Sequence, residues 1–361
     1  MTIVTTRNCS PIIAHSRLIS ERQKSYSGLL ILLLLGLFTL LLQPRPLQAK
    51  TDPLVFDDTP LPEALSLPPW FKLSFLDLKE DLTEAQRKKR GLIIYFGRHD
   101  CAYCKALLES NWGRQDIVTY TRQHFDVVAI DVLGHRQITT PGGQELSEKD
   151  YAGQQKANFT PTLHFYDKLG KLAFKLTGYR PPYQFKAALE FVADRHHEHE
   201  SFADYYRRAE AAEEYGYETL NRHSQIKYSD KQVNLTASIR PLLVLFDRPR
   251  CHACDVLHGG PLQNKLIMQR LHQFNALQLD ITSQQSVITP AGQHTTSHAW
   301  AKQLKLDYTP TLVFFDEQGK EIIRIDSVVW FYRLSNVMDY VLTRGYRQYS
   351  TFQQWRSRHK P

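Results

Sequence analysis

A chain of 361 residues, 42% hydrophobic and 23% charged, is too long for one small domain and too apolar for a disordered or fibrous protein. Its formal charge is +8, but residues 1–49 hold five basic side chains against one acid, leaving +4 on the remainder. That mild excess, with no Arg/Lys stripe interleaved with aromatics, excludes a nucleic-acid-binding footprint.

The first element is apolar. "GLLILLLLGLFTLLL", Gly28 to Leu42, runs fifteen residues without a charge, after a basic stretch and ahead of a small residue, Ala49. This fits a secretory signal, and the uncharged span between Lys24 and Arg45 is also long enough to cross a bilayer. Residues 1–49 are therefore expected as a signal peptide or a membrane anchor. Both place the rest of the chain outside the cytoplasm, because the basic residues precede the apolar run.

Beyond it the chain repeats at a period near 150. "FTPTLHFYDKLGK" from Phe159 falls on "YTPTLVFFDEQGK" from Tyr308, with eight of thirteen positions identical. "TTPGGQ" falls on "ITPAGQ", and "SFADYY" from Ser201 resembles "TFQQWR" from Thr351. Self-similarity at that period means two related domains, expected at 70–208 and 233–358 with a helical linker over 209–232. Within each, an apolar run reads as a buried strand (Leu92–Phe96, Leu242–Phe246), followed by a helical stretch and a second strand (Val127–Val132, Ala276–Ile281). A turn and a short helix capped by Ser147 or Thr296 come next. A Thr-Pro step then leads into an aromatic strand with a hairpin turn at Gly170 or Gly319. An amphipathic helix closes each repeat (Tyr183–Arg195, Tyr332–Arg344). The order β-α-β-α-β-β-α specifies an α/β fold, a mixed sheet flanked by helices.

Both first strands end at a Cys-x-x-Cys pair: "RHDCAYCK" holds Cys101 and Cys104, and "RPRCHACD" holds Cys251 and Cys254. Covalent haem needs a histidine after the second cysteine; Lys105 and Asp255 stand there. A shared four-cysteine zinc site needs far shorter spacing than 150 residues, so no metal and no cofactor are expected. A purely structural disulfide across two residues removes little chain entropy. Redox exchange explains the placement best, since a helix N-terminus stabilises the attacking thiolate and leaves a second sulfur one turn away to resolve the mixed disulfide. Two further features invite simpler readings. "RHHEHE", with His196, His197 and His199, reads as a solvated helix end rather than a metal site, and Phe165, Tyr166, Phe314 and Phe315 read as core.

Strand, Cys-x-x-Cys at a helix start, and a later Thr-Pro before an aromatic strand together resemble the thioredoxin superfamily. The "TPxGQ" and "TPTLxFxDxxGK" motifs are most similar to SoxW-type thioredoxins, secreted or membrane-tethered proteins associated with bacterial sulfur oxidation. The resemblance implies two tandem thioredoxin-like domains, each a thiol–disulfide oxidoreductase of the protein-disulfide reductase or isomerase type, in the periplasm. Cys101 and Cys251 would be nucleophiles and Cys104 and Cys254 would resolve. Thr160–Pro161 and Thr309–Pro310 would be the cis-proline steps that line the substrate groove. Protein disulfides or thiols would be the substrates and a membrane thiol–disulfide electron carrier the partner. The competing reading is a thioredoxin-fold binding or chaperone module with structural disulfides. The family's "WCGPC" is replaced here, and Tyr95 and Leu245 occupy the position, six before the nucleophile, where the family buries an acid. Arg250 and His252 flank Cys251 while Asp100 precedes Cys101, so flanking charge favours the thiolate, and a more oxidising pair, in the second domain.

Overall fold

The computed structural model describes residues 56–210, 219–236 and 239–359. The apolar segment Gly28–Leu42 and Cys9 lie outside the described residues, among which no helix is long and apolar enough to cross a membrane.

The first domain opens with α1 (Leu78–Arg87), whose cap Asp77 accepts from the Glu80 amide and whose Leu78, Leu82 and Ala85 face inward. There follow β1 (Gly91–Gly97), α2 (Ala102–Ala106), α3 (Gln115–His124) and β2 (Phe125–Asp131). Next come a small hairpin, β3 (Gln137–Thr139) with β4 (Glu145–Ser147), then α4 (Glu148–Gln154), β5 (Thr162–Tyr166), β6 (Leu172–Thr177), α5 (Pro182–Ala193) and α6 (Phe202–Glu210). The sheet order is β2-β1-β5-β6. β1 runs parallel to β2 and antiparallel to β5, with Leu92 opposite Tyr166.

Alternation explains why "GLIIYFG" occupies the centre. Successive side chains of a strand point to opposite faces. Ile93 and Tyr95 enter one apolar cluster with Leu107, Trp112 and Phe185, while Leu92, Ile94 and Phe96 enter another with Leu78, Leu82 and Tyr151. A strand buried on both faces needs no polar alternation, and this one has none.

The second domain repeats the plan. It comprises β7 (Val233–Asn234), β8 (Leu242–Asp247), α7 (His252–Gly259), α8 (Lys265–Leu271), β9 (Asn275–Asp280), β10 (Ser286–Ile288), β11 (His294–Thr296), α9 (Ser297–Gln303), β12 (Thr311–Phe315), β13 (Glu321–Ile325), α10 (Phe331–Leu342) and α11 (Phe352–Arg358). Its main sheet is ordered β13-β12-β8-β9. As expected, Ser147 and Thr296 cap α4 and α9, accepting from the amides of Asp150 and Ala299. The "TPxGQ" stretches, expected as turns, are hairpins with Gly143 and Gly292 at positive φ. The helical reading of 209–232 does not extend to residues 219–232, which carry no helix. Their polar groups bond the second domain instead. His223 Nε2 lies 3.1 Å from the Leu262 carbonyl, Asn221 donates to Asp255 at 2.7 Å, and Lys227 bridges to Leu277.

The two domains pack through several polar and aromatic contacts. Phe159 of the first belongs to the core of the second, with its ring 5.5 Å from Phe352. Gly178, at φ +73, abuts Ser327 so closely that a Cβ there would collide with the serine side chain. The guanidinium of Arg180 lies over the Tyr308 ring at 4.2 Å and 3.5 Å from Asp307. Burial pushes the neighbouring Asp326 carboxyl up to about 6; Arg180 opposes the push and Asp307 adds to it. An acid whose folded pKa exceeds its unfolded value of about 3.9 holds its proton longer in the native state, so its stabilising contribution fades as pH rises through about 6. Relative to the parent, Asp326→Asn is therefore expected to gain stability between about pH 4 and pH 7. Urea midpoints of both proteins across that range are the check, and a difference that does not change with pH would refute the assignment.

Candidate functional site

Each cysteine pair sits where a central strand hands over to a helix. Cys101 caps α2 and Cys251 caps α7, both in extended backbone, with Sγ accepting from the amide of the second cysteine at 3.0 and 3.1 Å. This bond satisfies one of the orphan donors of a helix start and favours negative charge on the first sulfur. Cys101 and Cys104 are paired at disulfide distance, as are Cys251 and Cys254, with Cα separations of 5.1 and 5.2 Å.

The Thr-Pro loops face these sulfurs. Both the Thr160–Pro161 and Thr309–Pro310 peptide bonds are cis. Cys101 Sγ lies 3.4 Å from the Thr160 carbonyl and accepts from the Thr160 hydroxyl at 3.2 Å. Cys251 Sγ lies 3.6 Å from both the carbonyl and the hydroxyl of Thr309. The sequence-expected site residues thus gather into two clusters, one per domain.

Family models identify the architecture. A thioredoxin-like domain matches residues 78–193 and again 228–342. The chain belongs to the thioredoxin-like domain family. Its two thioredoxin-like domains have mixed sheets flanked by helices. Similar solved structures include a thioredoxin-fold protein from Helicobacter pylori (23% identity over 34% of this chain and 82% of that one, TM-score 0.29). A thioredoxin from Thermus thermophilus is 25% identical over 32% of this chain and 83% of that one, with a TM-score of 0.26. A disulphide isomerase from Xylella fastidiosa Temecula1 is 21% identical over 39% and 98%, with a TM-score of 0.24. No curated protein sequence matches the chain.

The two thioredoxin-like sites differ in what surrounds them. Behind the second pair lies a buried polar group that sequence reasoning missed. Asp247 closes β8, is fully buried, and has a carboxylate oxygen within 4.8 Å of both Cys251 and Cys254 sulfurs. It lies 2.9 Å from His258 Nε2 and accepts from Gln278 Nε2 at 3.0 Å and from the Arg248 amide at 3.0 Å. The first domain has Gly97, Leu108 and Ala129 at the equivalent positions. There the Tyr95 ring fills the space, lying so close that a Cβ on Gly97 would overlap it. The available signal was the terminal aspartate of "LLVLFD", an acid closing an otherwise apolar strand two residues later than the family's position.

The flanking charges also differ from the sequence expectation. Asp100 does not act on Cys101 as a free anion, because Arg98 grips both its oxygens. Burial alone would raise the Asp100 pKa, but the Arg98 fork prevails and lowers it. His252 and Arg250 beside Cys251 are exposed, where charge is screened. In the "RHHEHE" stretch the three histidines do not converge: His196 faces Glu200 at 3.4 Å and His197 faces Asp167 at 3.6 Å. Glu198, which approaches Asp167 and His197, is forked by Arg195 at 2.8 and 2.7 Å.

Proposed function

We propose that this protein is an exported thiol–disulfide oxidoreductase, and the observation that carries the reading is the Cys251 sulfur held between a helix-start amide and the Thr309 step. In the reducing direction the Cys251 thiolate attacks one sulfur of a substrate disulfide. A Cys251–substrate bond forms, the substrate's own S–S bond breaks, and its second sulfur leaves as a thiolate that takes up a proton. Cys254 then loses its proton to Asp247, the buried carboxylate that lies within 4.8 Å of its sulfur, and its thiolate attacks the Cys251 sulfur. The second substrate thiol is released and the protein is left as the Cys251–Cys254 disulfide, two electrons having passed to the substrate. Thiols of a membrane electron carrier would restore the dithiol; run backward, the same steps oxidise a substrate.

Export rests on the apolar Gly28–Leu42 run and the basic residues before it. The periplasm is the compartment in which such a protein would meet both disulfide substrates and a membrane reductant. The "TPxGQ" hairpin in both domains supports the narrower SoxW-type assignment. Capture is the test. Cys254→Ser lacks the resolving sulfur, so Cys251 should accumulate as a mixed disulfide with protein substrates, visible as adducts that a small thiol releases. A Cys254→Ser protein that forms no adducts with any disulfide protein would overturn the reading.

A further inference from the structure

The groove beside the first cysteine pair is already full. Arg333, from α10 of the second domain, donates from Nη2 to the Thr160 carbonyl at 2.7 Å, and its guanidinium lies 3.5 Å from the centre of the Tyr103 ring. Tyr103, between the two cysteines, donates to Asp58 at 2.8 Å and accepts from the Trp330 amide at 2.8 Å. Asp58 in turn accepts from the amides of Tyr332 and Arg333, both at 2.8 Å. On the other side of the loop α11 closes in. Gln353 accepts from Arg98 at 3.1 Å and donates to the Asn158 carbonyl at 2.9 Å, while the Phe352 amide donates to the Asn158 side chain at 3.1 Å. The chain ahead of the first domain adds a strap, with the amides of Leu61 and Leu65 bonded to the carbonyls of Asp100 and His99 at 3.0 and 2.8 Å.

We infer that the Thr160–Pro161 groove is a docking surface for the second domain, so that exchange with other proteins runs through Cys251–Cys254 while Cys101–Cys104 stays closed. This rests on the exchange reading given above and restricts it to one site. Thiol exchange needs the attacking sulfur to reach its target sulfur unhindered, and a protein substrate must also lay its backbone along the Thr-Pro loop. Both cysteine nucleophiles are recessed, Cys101 at 3% and Cys251 at 5% exposure. The rims differ. Ala102, Tyr103 and Thr160 are buried around Cys101, whereas His252 is exposed and Ala253 and Thr309 are half-buried around Cys251. A partner's backbone cannot take the Thr160 carbonyl without displacing Arg333.

The experiment uses the whole chain with both pairs oxidised. Reduced thioredoxin serves as a protein-sized dithiol, timed samples are quenched with acid, and the freed thiols are alkylated and assigned by peptide mass spectrometry. Cys251–Cys254 should open at least about ten-fold faster than Cys101–Cys104. Arg333→Ala should narrow that gap at least about three-fold by speeding the first pair alone. Equal opening of both pairs in the parent protein would overturn the inference, and this comparison stands whether or not the variant folds. A folded Arg333→Ala protein with an unchanged gap would also overturn it. Inertness of both pairs would instead overturn the exchange reading, and this inference with it.

Discussion

Cys251→Ser is expected to bring turnover of a protein disulfide to the uncatalysed rate, although Cys101–Cys104 remains intact in that variant. A serine hydroxyl does not ionise near neutral pH and forms no mixed disulfide, so the first step of exchange is lost outright. If the first pair could substitute, a large fraction of the rate would survive; its buried rim and the Arg333 bond to Thr160 argue that it will not. Asp247→Asn provides a graded companion. The amide keeps the shape beside His258 and Gln278 but cannot take the Cys254 proton, so attack on the substrate continues while resolution slows by about 100-fold or more. Mixed disulfide should accumulate during turnover, and alkylation of quenched samples would reveal it. Turnover in Cys251→Ser above background would move the working site to the first domain.

Asp58→Ala should lower stability by about 3–5 kcal/mol, the range for removing one partner from a buried charged cluster. Asp58 is 5% exposed and takes three hydrogen bonds, from the Tyr103 hydroxyl and the Tyr332 and Arg333 amides. Truncation orphans all three donors at once, at about 1–3 kcal/mol apiece if no water replaces the carboxylate. It also strips the nearest acid from Arg333. Burial already lowers that guanidinium's pKa to about 10, and the negative charge of Asp58 works against the fall. Asp58→Asn retains an acceptor oxygen and should cost clearly less. Urea unfolding of the two variants measures the difference, and a loss below about 1 kcal/mol for Asp58→Ala would mean the cluster does not hold the domains together.

The parts of this molecule that are local in sequence were legible there. β1 and β8 announce themselves as apolar runs, Ser147 and Thr296 as caps, Gly170 and Gly319 as hairpin turns, because each depends on residues within a few positions. The duplication added leverage, since one reading had to serve twice. What stayed hidden depends on distant partners. Asp58 lies in a segment with no periodic pattern, and its meaning comes from Arg333, 275 positions away. Asp247 stands just past the apolar run Leu242–Phe246, and its meaning comes from His258 and Gln278, which close around it. The sequence also presented the two Thr-Pro loops as equivalents, and only the packing of α10 and α11 separates them. A repeat reveals its shared plan readily, whereas an asymmetry between copies is written in contacts between them.

Phe159 changes what can be cut from this chain. Its ring, 1% exposed, is carried by the first domain's loop yet completes the hydrophobic interior around Phe352 in the other. Severing the copies would put a phenylalanine into water and open a void in its former host, forfeiting up to about 3 kcal/mol of burial from that side chain alone. The second copy therefore borrows part of its core from the first. Neither can be replaced wholesale by an unrelated module of the same fold, because the substitute would arrive without the ring or without the socket. Heating should accordingly dismantle both together, as one cooperative body.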